Sequence, residues 1–373
     1  MKTFYLIISV FALLFLIKVV WVSCAMSGYG DIKTEKEDLL QRKDWLIENI
    51  CVSPVDLLNE MPNDFDIQFK GEWALYSCSM LAQALTNIAT VYPETREEAA
   101  KHIDSLVALV MSKELRLFDS IRWDEDPLET LDGDNSHISY ISHLAWMIGN
   151  YKKVAHNTKY DALYRDLCET MNRRILQSPN LNLPTYPGEP IYIPDMLVAI
   201  VALHQNGNYN SSVEAWLDRA KSEWLDKETG LLKSFLETES PVKGSYAALN
   251  CYYLTLIDEE FAREQYARLR SHFFKGGLLA GIKEYTSRSP VLEADVDAGV
   301  ILFGLSPSAT AFTVGSATFF NDANTRNALL RTAEIAGHTV KWQNKRHYLL
   351  ADIALVGEAI TLAMRTNYHT TTE

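Results

Sequence analysis

Cysteine is scarce and unpatterned: Cys24, Cys51, Cys78, Cys168 and Cys251 are the five in 373 residues, and no C-x-x-C spacing occurs. That argues against a zinc site and against a disulfide framework. In segments that read as helices, the ordinary role of such a cysteine is a small buried apolar residue. Basic clusters are also missing. The net charge is −13 and the pI near 5.2, so a nucleic-acid partner, which needs a positive stripe, is not expected. The chain has no glycine-rich phosphate loop, no His/carboxylate metal spacing and no serine nucleophile elbow. No nucleotide, metal or flavin cofactor is therefore expected.

What the chain does have is apolar content, 47% of residues, enough for a large core. Some of it is concentrated at the start. Lys2 precedes FYLIISVFALLFLI, followed by Lys18 and VVWVSCA, the pattern of a signal sequence or anchor. With Lys18 snorkelling, the run reaches about 20 residues, the length of a bilayer span. Residues 1–24 are thus expected to anchor the chain in a membrane, with the remainder facing the periplasm or exterior. Ser23-Cys24 leaves a lipoprotein site as an alternative, and cleavage with secretion is another. Residues 25–34 read as a polar linker.

From residue 35 to 373 the pattern is helical, and it repeats. Apolar helix starts fall near Gly71, His137, Tyr192, Ser245, Asp297 and Tyr348, at gaps of 66, 55, 53, 52 and 51 residues. Amphipathic partners lie near 94–112, 159–177, 211–225, 259–274 and 322–337. The amphipathic helix at 35–50 is left to pair with the last apolar one, which makes six hairpins and closes a ring. The expected fold is an all-α (α/α)6 toroid with apolar helices inside. β structure is expected at most in short loops such as GGLLAGIKEY (276–285).

In such a ring the inner helices run in one direction, and their positive N-terminal ends gather around one cavity. The entrance TYPGEPIYIPDM brings Tyr186, Glu189, Tyr192 and Asp195 together, with Pro194 suited to a first helical turn. The other entrances add Asp66, Glu72 and Tyr76, then Tyr140 and His143, then Tyr246 and Asn250, then Asp295 and Asp297. An aromatic lining with few convergent polar groups suits a small-molecule substrate. Each residue also has an ordinary role open to it. Asp195 would be stabilised in any first helical turn, Glu189 in any solvated turn, and His143 as a satisfied core histidine. Asp295 and Asp297 share a side only if their segment is extended, with Asp295 assigned to the pocket and Asp297 to the cap of the next helix. The Asp124–Asp126 run reads as a solvated loop, and 113–136 and 226–243 as lids or contact surfaces for self-association.

In their order and spacing, GEWALYSCSM, YISHL, TYPGE with IPDM, DKETGLL, KGSY, FAREQYARLR, EADVDAG and VGEA resemble the linalool dehydratase/isomerase-like family, and its membrane-associated members in particular. The resemblance covers about residues 66 to 360. It implies an (α/α)6 barrel with a cofactor-free pocket holding His143, Tyr186, Glu189 and Asp195, and hydration, dehydration or isomerisation of small alcohols.

The residues themselves support that chemistry. Asp195 or Glu189, raised in pKa by an aromatic wall, would protonate a hydroxyl, and His143 or a tyrosine would take the second proton. The faces of Tyr186, Tyr192 and Tyr246 would stabilise a cation. Tyr140, Glu72 and Tyr76 would complete the substrate contacts, and Asp295 would add a further acid. Two alternatives stay open. One is an extracytoplasmic glycan-active enzyme using paired carboxylates; the other is a non-catalytic ligand-binding toroid.

Overall fold

A computed structural model describes residues 2–25, 32–62, 66–157 and 159–369, and these are mostly helical. The first half holds α1 (Lys2–Ala25), α2 (Ile32–Ile50), α3 (Pro54–Glu60), α4 (Ile67–Val91), α5 (Arg96–Val110), α6 (Lys113–Trp123), α7 (Ile138–Val154) and α8 (Asp161–Gln177). The second holds α9 (Ile193–Asn206), α10 (Asn210–Glu223), α11 (Gly244–Leu254), α12 (Glu259–Phe273), α13 (Pro307–Phe319), α14 (Ala323–Gly337) and α15 (Leu355–Arg365).

Two kinds of helix alternate. In α7 and α11 nearly every side chain is buried, whereas α8, α10 and α12 bury one stripe and expose charge on the rest. The fully apolar helices pack in a cycle: α4 on α7, α7 on α9, α9 on α11, α11 on α13, α13 on α15, and α15 back on α4. Amphipathic α5, α8, α10, α12 and α14 each pack on the apolar helix before them, and α2 packs on both α15 and α4. Small residues permit the closest approaches. A Cβ on Gly71 would stand 2.5 Å from that of Phe118 on α6, and one on Gly315 would meet Met364 of α15.

The seam between the first and last elements is ionic. Arg326 of α14 and Arg365 of α15 both bind Glu35 of α2, while Arg42 binds Asp38 and Glu358. Burial pushes the Glu35 carboxyl up, but Arg365 and Arg326 outweigh it and bring it down to about 2.

Strands are more extensive than expected. Phe274–Lys275 (β3), Gly281–Lys283 (β4), Leu292–Asp295 (β5), Gly299–Leu302 (β6) and Leu305–Ser306 (β7) form an antiparallel sheet ordered β3-β4-β7-β6-β5. Thr339–Trp342 (β8) pairs with Lys345–Tyr348 (β9) in a hairpin, and Ile191–Tyr192 (β1) with Phe235–Leu236 (β2) in a two-stranded ladder. These ladders displace two expected helix starts. The helix expected near Asp297 begins at Pro307, and the one expected near Tyr348 begins at Leu355. The amphipathic helix expected near 94–112 is α5, and α6 follows it directly, so the 113–136 loop is partly helical.

The apolar start does form a helix, α1, whose Val19 and Val22 pack on Ile335 of α14 and on Leu279. A bilayer-spanning anchor over 1–24 is not found: among the described residues no helix is long and apolar enough to cross a membrane. Residues 26–31 of the expected linker lie outside the described residues, and α2 already begins at Ile32.

Candidate functional site

Hydrogen bonds tie the N-terminal ends of the cycle together at one end of the molecule, the mouth. Tyr186, before α9, donates its hydroxyl to Glu72 on α4. Tyr192 packs edge-on against Tyr246 of α11 at 6.0 Å, and Tyr246 donates to Asp297 at 2.8 Å. The opposite ends are joined as well. Asn150 of α7 donates to Gln83 of α4 at 2.9 Å, and Gln205 of α9 donates to Asn150 at 3.1 Å. This amide chain joins α4, α7 and α9 at the opposite end, the floor. Eleven residues separate Glu72 from Gln83 on α4, so mouth and floor are roughly 16 Å apart at 1.5 Å rise per residue.

Around the mouth, cations and carboxylates alternate. Arg122, the penultimate residue of α6, stacks over the Tyr186 ring at 3.6 Å and reaches Glu189 at 3.3 Å and Glu72 at 3.6 Å. Exposed Glu189 also accepts from Tyr192 at 3.1 Å. On the far side Lys243 binds Asp295 at 2.9 Å and Asp297 at 3.1 Å, with Glu284 at 3.8 Å. Gly244 is required beside it, because a Cβ there would meet the Lys283 carbonyl oxygen at 2.0 Å. Glu284, fully buried, accepts from the Ser245 amide and hydroxyl; burial pushes its carboxyl up to about 7.

Between these walls stands Asp195, in the first turn of α9 beside Pro194. Thr185 donates to it at 2.7 Å, and among the described residues no cation pairs with it. Burial pushes its carboxyl up to about 6; Thr185 and Tyr76 pull it back, while Asp297 and Glu189 raise it. Glu72 rises further, to about 7. Burial is the first cause, opposed by Tyr186 and Arg122 and reinforced by the charges of Asp195 and Asp297. Two carboxyls that influence each other are thus held ready to keep a proton near neutral pH.

One to two turns deeper is a neutral layer. His143 Nδ1 lies 2.9 Å from the Ser79 hydroxyl, and its ring packs on Tyr76 at 4.4 Å. Trp146 packs on Tyr253 at 5.6 Å. His143 Nε2, Trp146 Nε1 and both amide atoms of Asn250 are buried with no hydrogen-bond partner among the described residues. Such groups are costly unless a ligand or water satisfies them. On α11, Tyr246, Asn250 and Tyr253 fall at i, i+4 and i+7, so one helix face carries mouth and deep layer alike.

Several expectations change in this light. His143 is in place, but burial takes its pKa down to about 3, so it is a neutral hydrogen-bonding group rather than a proton-removing base. Tyr140 is turned outward: its hydroxyl donates to the Val110 carbonyl of α5 at 3.0 Å and its ring meets Phe118, away from the mouth. Asp297 is not a helix cap; Ser306 caps α13, and Asp297 faces Tyr246 and Lys243. Asp295, at the end of β5, does meet Lys243, and it also accepts the Asp297 and Ala298 amides that shape the turn. Asp66 stands at the N-cap of α4 without a side-chain cap bond and joins no cluster. The Asp124–Asp126 run is not simply solvated, because Glu125 contacts buried His137 at 3.0 Å and Asp126 pairs with Arg116. Thr185, Arg122, Lys243 and Glu284 were missed as site residues. KGSY, which holds Lys243, and Arg122 just before the Asp124–Asp126 run were the available signals.

A comparison of the chain with protein-family models finds no match, and a comparison with curated proteins finds none either.

Proposed function

We propose that the chain is a cofactor-free lyase or isomerase acting on a small neutral alcohol, built on an (α/α)6 toroid. The closed cycle of apolar helices, with amphipathic helices packed on it, supports the toroid. The observation that carries the function is Asp195, part-buried and, among the described residues, paired with no cation, whose charge helps to raise the Glu72 carboxyl at the same mouth.

Loss of a hydroxyl needs a proton on the departing oxygen and a base for a carbon-bound proton. The Glu72/Asp195 pair holds one proton near pH 7, so one carboxyl serves as acid while its neighbour serves as base. A cationic centre forming between them faces the rings of Tyr186, Tyr192 and Tyr246. His143 Nε2 and the Asn250 amide are neutral partners for the inner part of the substrate. The motifs that resemble those of linalool dehydratase/isomerase-like proteins favour the same reading, with membership in that family as a proposal.

Screening the full chain against small alcohols and oligosaccharides provides the substrate for the test. With a turned-over alcohol in hand, Asp195→Asn is expected to lower kcat at least 100-fold with the melting temperature nearly unchanged. Turnover of an oligosaccharide alone, or a collapse of stability in Asp195→Asn, overturns the proposal.

A further inference from the structure

Exposed large hydrophobic side chains are distributed unevenly over this molecule. Outside α1, each one among the described residues lies where an amphipathic helix ends or on the segment leading into the next apolar helix, which is the mouth end. The segments at the floor end, such as 155–160, 207–209 and 255–258, expose none. Scattered single exposures are ordinary on a protein surface; a one-ended distribution is not.

The most prominent are Leu292, Val300 and Phe303 on or beside the β5–β6 hairpin, Leu350 and Ile353 before α15, and Trp342 at the tip of the 339–348 hairpin. Leu292 is 69% exposed, Ile353 68% and Trp342 71%. Lys341 adjoins Trp342 with half its side chain in solvent, the pairing that suits a membrane–water boundary. Helix α1 adds continuity. It is seated at this same end through Val19 and Val22 against Ile335 and Leu279, while Val10, Leu13–Ile17, Val20 and Trp21 remain exposed. Together these gather exposed apolar side chains at one end of the molecule, and a surface of that kind can meet a bilayer with no spanning segment.

We infer that the mouth end docks on a lipid bilayer, so that the site opens onto the membrane and takes an alcohol dissolved in it. The inference rests on the reading of this end as the site's mouth, and it narrows the substrate class to lipophilic alcohols. Entry from the bilayer would spare such a substrate the cost of crossing water.

The test uses the full chain carrying Trp21→Phe, which leaves Trp342 as the exposed tryptophan among the described residues. The probe is vesicles of neutral phosphatidylcholine brominated on the acyl chains, so that charge attraction plays no part. Quenching of tryptophan emission is expected on vesicle binding and should vanish when Trp342→Phe is added. Leu292→Glu with Val300→Glu should weaken vesicle partitioning at least tenfold, with near-UV circular dichroism unchanged as the check on folding. Vesicle binding without quenching of Trp342 would mean that α1 binds alone and the rim points elsewhere, which overturns the inference. So would an absence of binding, or self-association through this rim in place of it. No substrate enters this experiment, so its failure and the failure of the acid–base proposal are separately visible.

Discussion

Glu35 and Asp38 at the seam and Glu72 and Asp195 at the mouth are all drawn out of water, but the two pairs titrate on opposite sides of their usual range. Glu35 and Asp38 are almost completely buried, yet both carboxyls are held below it, because Arg42, Arg326, Arg346 and Arg365 surround them. Glu72 and Asp195 are raised instead, since Arg122 is shared among Glu72, Glu189 and the Tyr186 ring and, among the described residues, no cation pairs with Asp195. Burial is the first cause in both places. The number of guanidinium groups per carboxylate decides the outcome. One arrangement closes a cycle of helices; the other stores a proton.

The sharpest way to break this contrast is at the seam. Arg365→Leu leaves Glu35 and Asp38 short of a cation in a dry site, and denaturant unfolding at pH 7 should show a loss of about 3–5 kcal/mol. A loss below 1 kcal/mol would mean that the remaining arginines suffice and that the seam is not what closes the cycle.

A smaller effect of opposite sign is expected at the mouth. Glu72 has its folded-state pKa raised from 4.5 to about 7, so its contribution to stability is present below pH 4.5 and is lost as pH rises through 7. Glu72→Gln, which keeps an acceptor for Tyr186, should therefore gain about 1–3 kcal/mol over the unmodified chain between pH 5 and pH 8.5. Glu35 behaves in reverse. Its contribution is present above pH 4.5 and fades as pH falls through about 2. The Glu72→Gln difference should be absent below pH 4.5, where Glu72 is protonated in the folded and the unfolded chain alike. Thermal melts of both chains across pH 3 to 9 separate the two.

The hairpin repeat was legible because it rests on helical periodicity, and four of the six apolar helix starts stand within a few residues of their expected places. The last two were obscured by extended segments. VLEADVDAGVILFG has enough apolar residues to pass for a helix start, but Gly299 and Gly304 take positive φ and the run folds into β5 and β6. At the site, the carboxylates and tyrosines were readable from their places at helix entrances. Their ion pairs were not, because Arg122 meets Glu72 and Glu189, and Lys243 meets Asp295 and Asp297, only across long sequence separations. The fall of the His143 pKa was equally hidden, since it arises from complete burial and not from any neighbour in sequence.

The central claim is that the mouth keeps a proton at neutral pH, and carboxyl-carbon NMR tests it directly. In a chain labelled at aspartate and glutamate, with Glu72→Gln and Asp195→Asn used for assignment, the account predicts midpoints near 7 for Glu72 and near 6 for Asp195. Midpoints below 4.5 for both would contradict it.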